Sequence, residues 1–149
     1  MRIYLDNCSY NRPYDDLSYL TVSLEAQAKL FIQEKIRNGE YDLVTSEMLT
    51  FEVNNCPVEI RRNVIMDFIE ENSAVHVGPA NTSRIQEMAK EIMTMGVKYK
   101  DACHVASAIL AQCDYFISTD KRLLKYRTDK IKLVNPVEFV SEMEDGKNE

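Results

Sequence analysis

The sequence has few of the features that mark membrane proteins, zinc proteins or histidine-based enzymes. It contains no run of about 18 apolar residues, the minimum for a membrane-spanning helix. Two histidines argue against a catalytic triad or a histidine metal centre. The four cysteines form no C-x-x-C pair and no zinc-type spacing; they are Cys8, Cys56, Cys103 and Cys113. We therefore expect no membrane contact and four reduced thiols, as in a cytoplasmic protein.

Basic residues are also few for a nucleic-acid-binding protein. The 149 residues include 18 Lys and Arg against 24 Asp and Glu, and the formal net charge is −6. This balance excludes a protein that coats nucleic acid by bulk positive charge. It leaves room for an enzyme that touches nucleic acid at one place.

The length and composition predict one globular domain. Hydrophobic residues make up 45% of the chain and charged residues 28%, as is usual for such a domain. The first strand reaches Asp6 too early for a signal peptide. We expect one folded domain over residues 1–140 and a frayed acidic tail over residues 141–149.

Short apolar runs alternate with helical patterns along the whole chain. The runs that predict strands lie at residues 3–5, 41–45, 74–77, 115–118 and 131–134. Alternation of strand and helix implies right-handed crossovers and a parallel sheet covered by helices. The predicted class is α/β with three layers, in which a mainly parallel central sheet of about four to five strands is flanked by helices.

Local signals predict several helix faces and ends. A helix over residues 20–38 would bury an apolar stripe and end at Gly39. The stripe consists of Leu24, Ala28, Phe31, Ile32 and Ile36. Pro57 suits the first position of a later helix, and residues 83–86 fit a capping box.

Acidic residues fall where the predicted strands end. Asp6 closes the first strand, and Asp120 lies two residues beyond a late one. Asp101 opens a helix, and Glu52 lies about one and a half turns into the helix after the second strand. Because ligand sites in open α/β sheets lie beyond the carboxyl ends of the strands, we expect these four acids to converge.

Converging carboxylates repel one another unless a cation neutralises them. Oxygen ligands are those that Mg²⁺ and Mn²⁺ prefer, and Mg²⁺ commonly binds through one or two carboxylates together with substrate phosphate. This pattern is typical of phosphodiester hydrolysis. The sequence therefore predicts a divalent-cation site with one or two ions.

Each acid also has an ordinary structural interpretation. Asp101 and Asp120 could cap helices, and Glu52 could lie on a solvated face. Glu47 competes with Glu52, because the two do not share a helix face and geometry alone does not choose between them.

Four short stretches carry these acids. Residues 4–7 read Tyr-Leu-Asp-Asn, residues 46–52 Ser-Glu-Met-Leu-Thr-Phe-Glu, residues 101–106 Asp-Ala-Cys-His-Val-Ala, and residues 118–121 Ser-Thr-Asp-Lys. Together they resemble the PIN-domain nucleases, which have an Asp closing the first strand, an acid on the helix after the second, an Asp-Ala-x-His-x-Ala helix start and a Thr/Ser-x-Asp after a late strand. The order and spacing hold from residue 1 to residue 140.

The resemblance implies a metal-dependent ribonuclease. Asp6, Asp101 and Asp120 would be catalytic ligands of Mg²⁺ or Mn²⁺, and Glu52 a fourth acid that binds the metal directly or through water. Ser118 matches the Thr/Ser position that supports the metal shell through its hydroxyl. Many small members are toxins of toxin–antitoxin pairs, so the resemblance also implies an antitoxin partner and a homodimer with two sites lining one groove.

Several further residues are candidates for supporting or substrate-binding roles. Asn7 stands where the family often has Thr, and His104 shares a helix face with Asp101. His104 could contact substrate or orient a carboxylate, although a histidine satisfied inside a half-buried face is an equal alternative. We predict contacts to RNA phosphates from the basic residues nearest the acids, namely Arg12, Lys121 and Arg122.

Two other functions fit parts of the pattern. A catalytically silent PIN-like scaffold would bind RNA or a protein partner without cutting. A phospho-accepting receiver domain also places acids at strand ends, but it usually has a paired acid after the first strand, where this chain has Asn7.

Overall fold

The architecture is that of the computed structural model, which describes residues 1–147. Within this range the chain forms five β-strands and seven α-helices. The strands are β1 (Arg2–Leu5), β2 (Asp42–Ser46), β3 (Ser73–Val77), β4 (Tyr115–Ile117) and β5 (Lys132–Val134). The helices are α1 (Asn7–Asn11), α2 (Leu20–Arg37), α3 (Glu47–Asn54), α4 (Glu59–Asn72), α5 (Thr82–Met93), α6 (Tyr99–Leu110) and α7 (Pro136–Lys147).

The five strands form one sheet in the order β3-β2-β1-β4-β5, and every neighbouring pair is parallel. β1 is the central strand, with Ile3, Tyr4 and Leu5 fully buried between β2 and β4. Its continuous apolar run is typical of a parallel strand covered on both faces. The predicted α/β class with a parallel sheet is confirmed, and the carboxyl ends of all five strands share one edge.

The predicted helix over residues 20–38 is present as α2, but its buried face differs from the predicted apolar stripe. Leu24 and Phe31 are each 45% exposed. The inward face instead carries polar residues among the apolar ones, namely Glu25, Lys29 and Gln33. Hydrophobic periodicity predicted the helix but not which of its faces is buried. The polar side chains can stay buried because they pair inside the protein, Glu25 with Arg12 and Lys29 with Gln33.

Two predicted helix starts are wrong. α4 begins at Glu59 with Val58 as its N-cap, so Pro57 precedes the helix instead of opening it. α5 begins at Thr82, which places Ser83 inside the helix, and its N-cap Asn81 makes no side-chain cap. The Thr82 hydroxyl donates to the Pro79 carbonyl at 2.8 Å, which ties the helix start to the preceding turn in place of a capping box.

The segment predicted to fray is helical as far as it is described. α7 continues through Lys147. Glu142 accepts hydrogen bonds from the Tyr115 hydroxyl at 2.9 Å and from Lys132 Nζ at 2.7 Å, which hold the helix against the edge of the sheet. Asn148 and Glu149 lie outside the described residues.

None of the helices within residues 1–147 combines the length and apolar character needed to cross a bilayer.

Candidate functional site

Asp6 occupies the central position at the carboxyl edge of the sheet. It follows β1 directly, caps α1 by accepting the Ser9 N–H at 3.0 Å, and is 2% exposed. Its own N–H donates to the Ile117 carbonyl at 3.2 Å, which fixes its backbone beside the end of β4. The carboxylate therefore faces the region where β1 and β4 end.

Burial gives Asp6 an unusual acidity. Desolvation raises the pKa of the Asp6 carboxyl to about 6, even though the Ser118 hydroxyl, His104 and Ser9 act in the opposite direction. An ionised Asp6 is therefore costly in the free protein. A positive charge beside it would remove that cost.

Asp101 and Asp120 bring two more carboxylates to the same edge. Asp101 lies in the first turn of α6, and burial, the charge of Asp120 and the charge of Glu52 raise its pKa. Asp120 accepts the N–H groups of Arg122 at 2.9 Å and Leu123 at 3.3 Å, so it caps the turn after β4 as well as facing Asp101. The structural and electrostatic roles of Asp120 thus coexist.

Ser118 connects the acids on β1 and β4. It is fully buried, and its Oγ accepts the Asp120 N–H at 3.0 Å. The same hydroxyl lowers the pKa of Asp6. Ser118 therefore touches both acids, and its support of a metal shell stays a prediction.

Glu52 on α3 is held by two of the supporting candidates. Its Oε1 accepts a hydrogen bond from His104 Nε2. Partial burial raises the pKa of Glu52, but contact with His104, the Lys100 charge and the nearby Asn7 amide together lower it below its usual value. Glu52 is therefore a stable anion in the free protein.

Cys8, in the first turn of α1, feels the charges of all four candidate acids. Partial burial of the thiol and, after it, the charges of Asp6, Asp120, Asp101 and Glu52 raise the pKa of Cys8 to about 12. All four candidate acids therefore act electrostatically on one thiol. Sequence reasoning missed Cys8, because a single cysteine after Asn7 carries no spacing signal.

The donor set fits a hard divalent cation in its chemistry but is not closed around one. Carboxylate oxygens that repel one another are the ligands that Mg²⁺ and Mn²⁺ prefer. Among residues 1–147, however, no group of three or more His, Cys, Asp or Glu side chains stands close enough to hold a metal ion. Binding an ion would require the carboxylates to turn toward each other.

Glu47, the competing acid, lies in a separate cluster. His76 Nε2 contacts Glu47 Oε1 at 2.8 Å, and His76 Nδ1 contacts Thr45 Oγ1 at 2.9 Å. Both Glu47 and His76 are exposed. The structure therefore places Glu52, and not Glu47, among the converging acids.

A cleft of about 600 Å³ opens beside Asp101 and Asp120. The basic side chains that line it are Lys98, Lys121, Arg122, Lys125 and Arg127. The cleft therefore combines five basic side chains with two of the candidate acids.

Arg12 has a different environment from the other basic candidates. Its guanidinium pairs with Asp15 at 3.0 Å and Glu25 at 3.5 Å, and it donates to the Thr119 carbonyl at 3.4 Å. Two carboxylates already neutralise this charge. Arg12 therefore ties the segment after α1 to α2 and to the Thr119 loop instead of presenting a free cation.

Comparison with known proteins identifies the fold. No protein-family profile matches the chain, and no curated protein matches it. Among solved structures, it is similar to a chain in the crystal structure of VapBC2 from Rickettsia felis bound to a DNA fragment from their promoter. The sequence identity is 13%, the TM-score is 0.55, and the match covers 91% of this chain and 98% of that one. The chain has a PIN-like α/β fold.

Proposed function

We propose that this chain is a divalent-metal-dependent endoribonuclease that hydrolyses RNA phosphodiester bonds. The observation that carries the proposal is the placement of four acids at the carboxyl edge of the sheet: Asp6 directly after β1, Glu52 on α3, Asp101 in the first turn of α6 and Asp120 after β4. The PIN-like fold is consistent with this chemistry. The residues, more than the fold, support the activity, because one fold can host many functions.

In this proposal, Asp6, Asp101 and Asp120 hold one or two Mg²⁺ or Mn²⁺ ions, with Glu52 as a direct or water-mediated fourth acid. When bound, the metal supplies an activated water and charge stabilisation at the leaving oxygen. The raised pKa values of Asp6 and Asp101 favour this assignment, because a cation relieves both desolvation and mutual repulsion.

The remaining residues position RNA and the acids. Ser118 holds the segment that joins β4 to Asp120. Lys121 and Arg122 line the cleft next to Asp120 and bind the phosphates flanking the scissile bond. Water attacks phosphorus, the P–O3′ bond breaks, and the departing 3′ oxygen takes up a proton, so the products carry a 5′-phosphate and a 3′-hydroxyl.

The proposal extends to protein partners. The similar solved structure is of VapBC2 bound to promoter DNA, and we propose that this chain acts as the toxin of a toxin–antitoxin pair. Its antitoxin would occlude the cleft, and a second copy of the chain would form a homodimer.

The decisive experiment is cleavage of a panel of structured RNAs with Mn²⁺, with EDTA, and with single-carboxylate variants. We expect Asp6→Asn and Asp101→Asn each to lower the cleavage rate by at least about 100-fold, because each removes an assigned ligand. The matched control is Asp67→Asn, which removes an exposed carboxylate on α4 and should leave the rate unchanged.

Two outcomes would overturn the proposal. Cleavage that persists in Asp101→Asn would mean a contaminating nuclease or a different site. RNA binding without cleavage under every metal condition would favour the silent scaffold.

A further inference from the structure

A buried line of hydrogen bonds runs from the core of the sheet to Glu52. Ser46 Oγ lies 2.6 Å from the Tyr4 hydroxyl, which lies 2.5 Å from His104 Nδ1. His104 Nε2 then contacts Glu52 Oε1. Ser46, Tyr4 and His104 are all almost completely buried, so water does not compete for these contacts.

The direction of the line follows from its first member. Within residues 1–147, Ser46 Oγ has two partners, the Leu49 N–H at 3.2 Å and the Tyr4 hydroxyl. The Leu49 N–H is a donor, so the proton of Ser46 can be given only to the Tyr4 oxygen. The Tyr4 hydroxyl is fully buried and has a single proton to donate.

With its oxygen occupied by Ser46, the Tyr4 hydroxyl donates its proton to His104 Nδ1. An imidazole nitrogen that accepts a hydrogen bond carries no proton, so the ring proton of His104 lies on Nε2. Nε2 then donates to Glu52. The protein interior thereby sets the tautomer of a side chain at the edge of the site.

We infer that Tyr4 and His104 are positioning residues, which fix the Glu52 carboxylate through a one-directional hydrogen-bond relay that starts at Ser46. This inference rests on the proposed function for its catalytic consequence. A carboxylate held by a fixed donor presents its other oxygen in one direction, and groups that orient ligands in this way commonly change metal affinity or activity by about 10- to 100-fold.

A similar arrangement at the protein surface supplies the comparison. Ser73 Oγ contacts Thr45 Oγ1 at 2.8 Å, Thr45 contacts His76, and His76 contacts Glu47. This line has the same order of groups, hydroxyl to hydroxyl to histidine to glutamate. His76 and Glu47 are exposed, so it serves as a matched control.

The first experiment reads the tautomer directly in metal-free protein. Long-range ¹⁵N–¹H NMR of the imidazoles should show His104 with its proton on Nε2 and an unprotonated Nδ1. Replacing Tyr4 with Phe (Tyr4→Phe) should weaken the preference, because Nδ1 loses its donor while the Glu52 carboxylate still accepts from Nε2. A wild-type His104 protonated on Nδ1, or on both nitrogens, would overturn the inference without any variant.

The second experiment measures Mn²⁺ affinity by calorimetry together with the kinetics of RNA cleavage. Tyr4→Phe keeps the ring that stacks on Phe116 with centroids 5.3 Å apart, so the core retains its shape. We expect about a 10-fold loss in Mn²⁺ affinity and in kcat, with KM for RNA unchanged. His104→Gln, whose amide can still donate to Glu52, should recover part of the loss relative to His104→Ala, and His76→Gln should match the wild type.

The two proposals fail in different ways. A wild-type protein with neither Mn²⁺ binding nor cleavage overturns the proposed function, while the NMR result still decides the direction of the relay. Wild-type kcat and Mn²⁺ affinity in a folded Tyr4→Phe variant overturn the positioning role and leave the proposed function intact.

Discussion

Lys29 shows how one residue can be kept inside this protein at an energetic cost. Its side chain is on the buried face of α2 and is 4% exposed. Lys29 Nζ contacts Gln33 Oε1 and lies over the Tyr10 ring, 5.2 Å from the ring centroid. Desolvation and, to a lesser degree, the Arg37 charge lower the pKa of Lys29 to about 7. The ammonium form is therefore disfavoured in the folded state.

This shift predicts a pH-dependent stability difference for Lys29→Met. Between pH 7 and pH 10 the unfolded chain binds a proton at this residue more readily than the folded chain, so wild-type stability rises with pH. The variant lacks this dependence. The quantity to compare is the free energy of unfolding of Lys29→Met minus that of the wild type. We expect this difference to be about 3 kcal/mol larger at pH 7 than at pH 10. Urea denaturation at each pH measures it.

The control is Lys90→Met, which changes an exposed lysine on α5. Its difference from wild type should stay constant across the same pH range. An unchanging difference for Lys29→Met as well would show that Lys29 is hydrated in solution.

Sequence position located the acids better than it located their partners. Asp6 and Asp120 could be singled out because they follow buried strands, and parallel strands bring their ends to one edge. Nothing in the sequence linked Tyr4 or Ser46 to His104, since the contacts join residues far apart in the chain. Tyr4 looked like one more core residue of β1. That the acids bind metal stays a prediction.

Helix starts show the limits of local patterns at the level of the element. The reciprocal cap that was expected at residues 83–86 occurs instead at α7. Asn135 Oδ1 accepts the Glu138 N–H at 2.8 Å, and Asn135 Nδ2 donates to Glu138 Oε1 at 2.9 Å. Pro136 follows the cap at the first helical position, where its missing N–H leaves no hydrogen bond unmade.

We expect Asn135→Ala to lower the free energy of unfolding by about 1 kcal/mol, because the first turn of α7 loses its cap. Ser83→Ala, inside α5, should change it by less than about 0.5 kcal/mol. Thermal and urea denaturation of the two variants give the comparison. Equal losses would mean that the Asn135 cap adds nothing in solution.

The elements themselves were more predictable than their boundaries and faces. Apolar runs located all five strands within a residue or two. The signal was strongest for β1, because a strand buried on both faces must be apolar throughout. The inward face of α2 could not be found this way. Glu25 is buried because Arg12 pairs with it across the loop after α1, a contact absent from any local pattern.

Charge is distributed unevenly over the whole molecule, and the net value of −6 conceals this. Four acids lie at the carboxyl edge of the sheet, while five basic side chains line the adjacent cleft. Repulsion among the acids at this edge lowers the stability of the folded protein. A divalent cation bound there should therefore stabilise the protein.

We expect Mn²⁺ to raise the thermal midpoint of the wild type. At a free Mn²⁺ concentration 100-fold above the dissociation constant, the free energy of unfolding should increase by about 2.7 kcal/mol. Asp101→Asn should lose most of this response while unfolding no earlier than wild type without metal, since Asp101 is repelled by Asp120 and Glu52. Differential scanning fluorimetry with and without Mn²⁺ tests both. Asp67→Asn should respond as the wild type does; a full response in Asp101→Asn would exclude Asp101 as a ligand.

The central position of β1 has a consequence for the order in which the protein is made. β1 is synthesised before its neighbour β4, which pairs with it through Ile3 and Tyr115, and Asp120 comes later still. During translation Asp6 therefore emerges well before Asp101 and Asp120. A chain whose synthesis has not passed residue 120 lacks part of the candidate site.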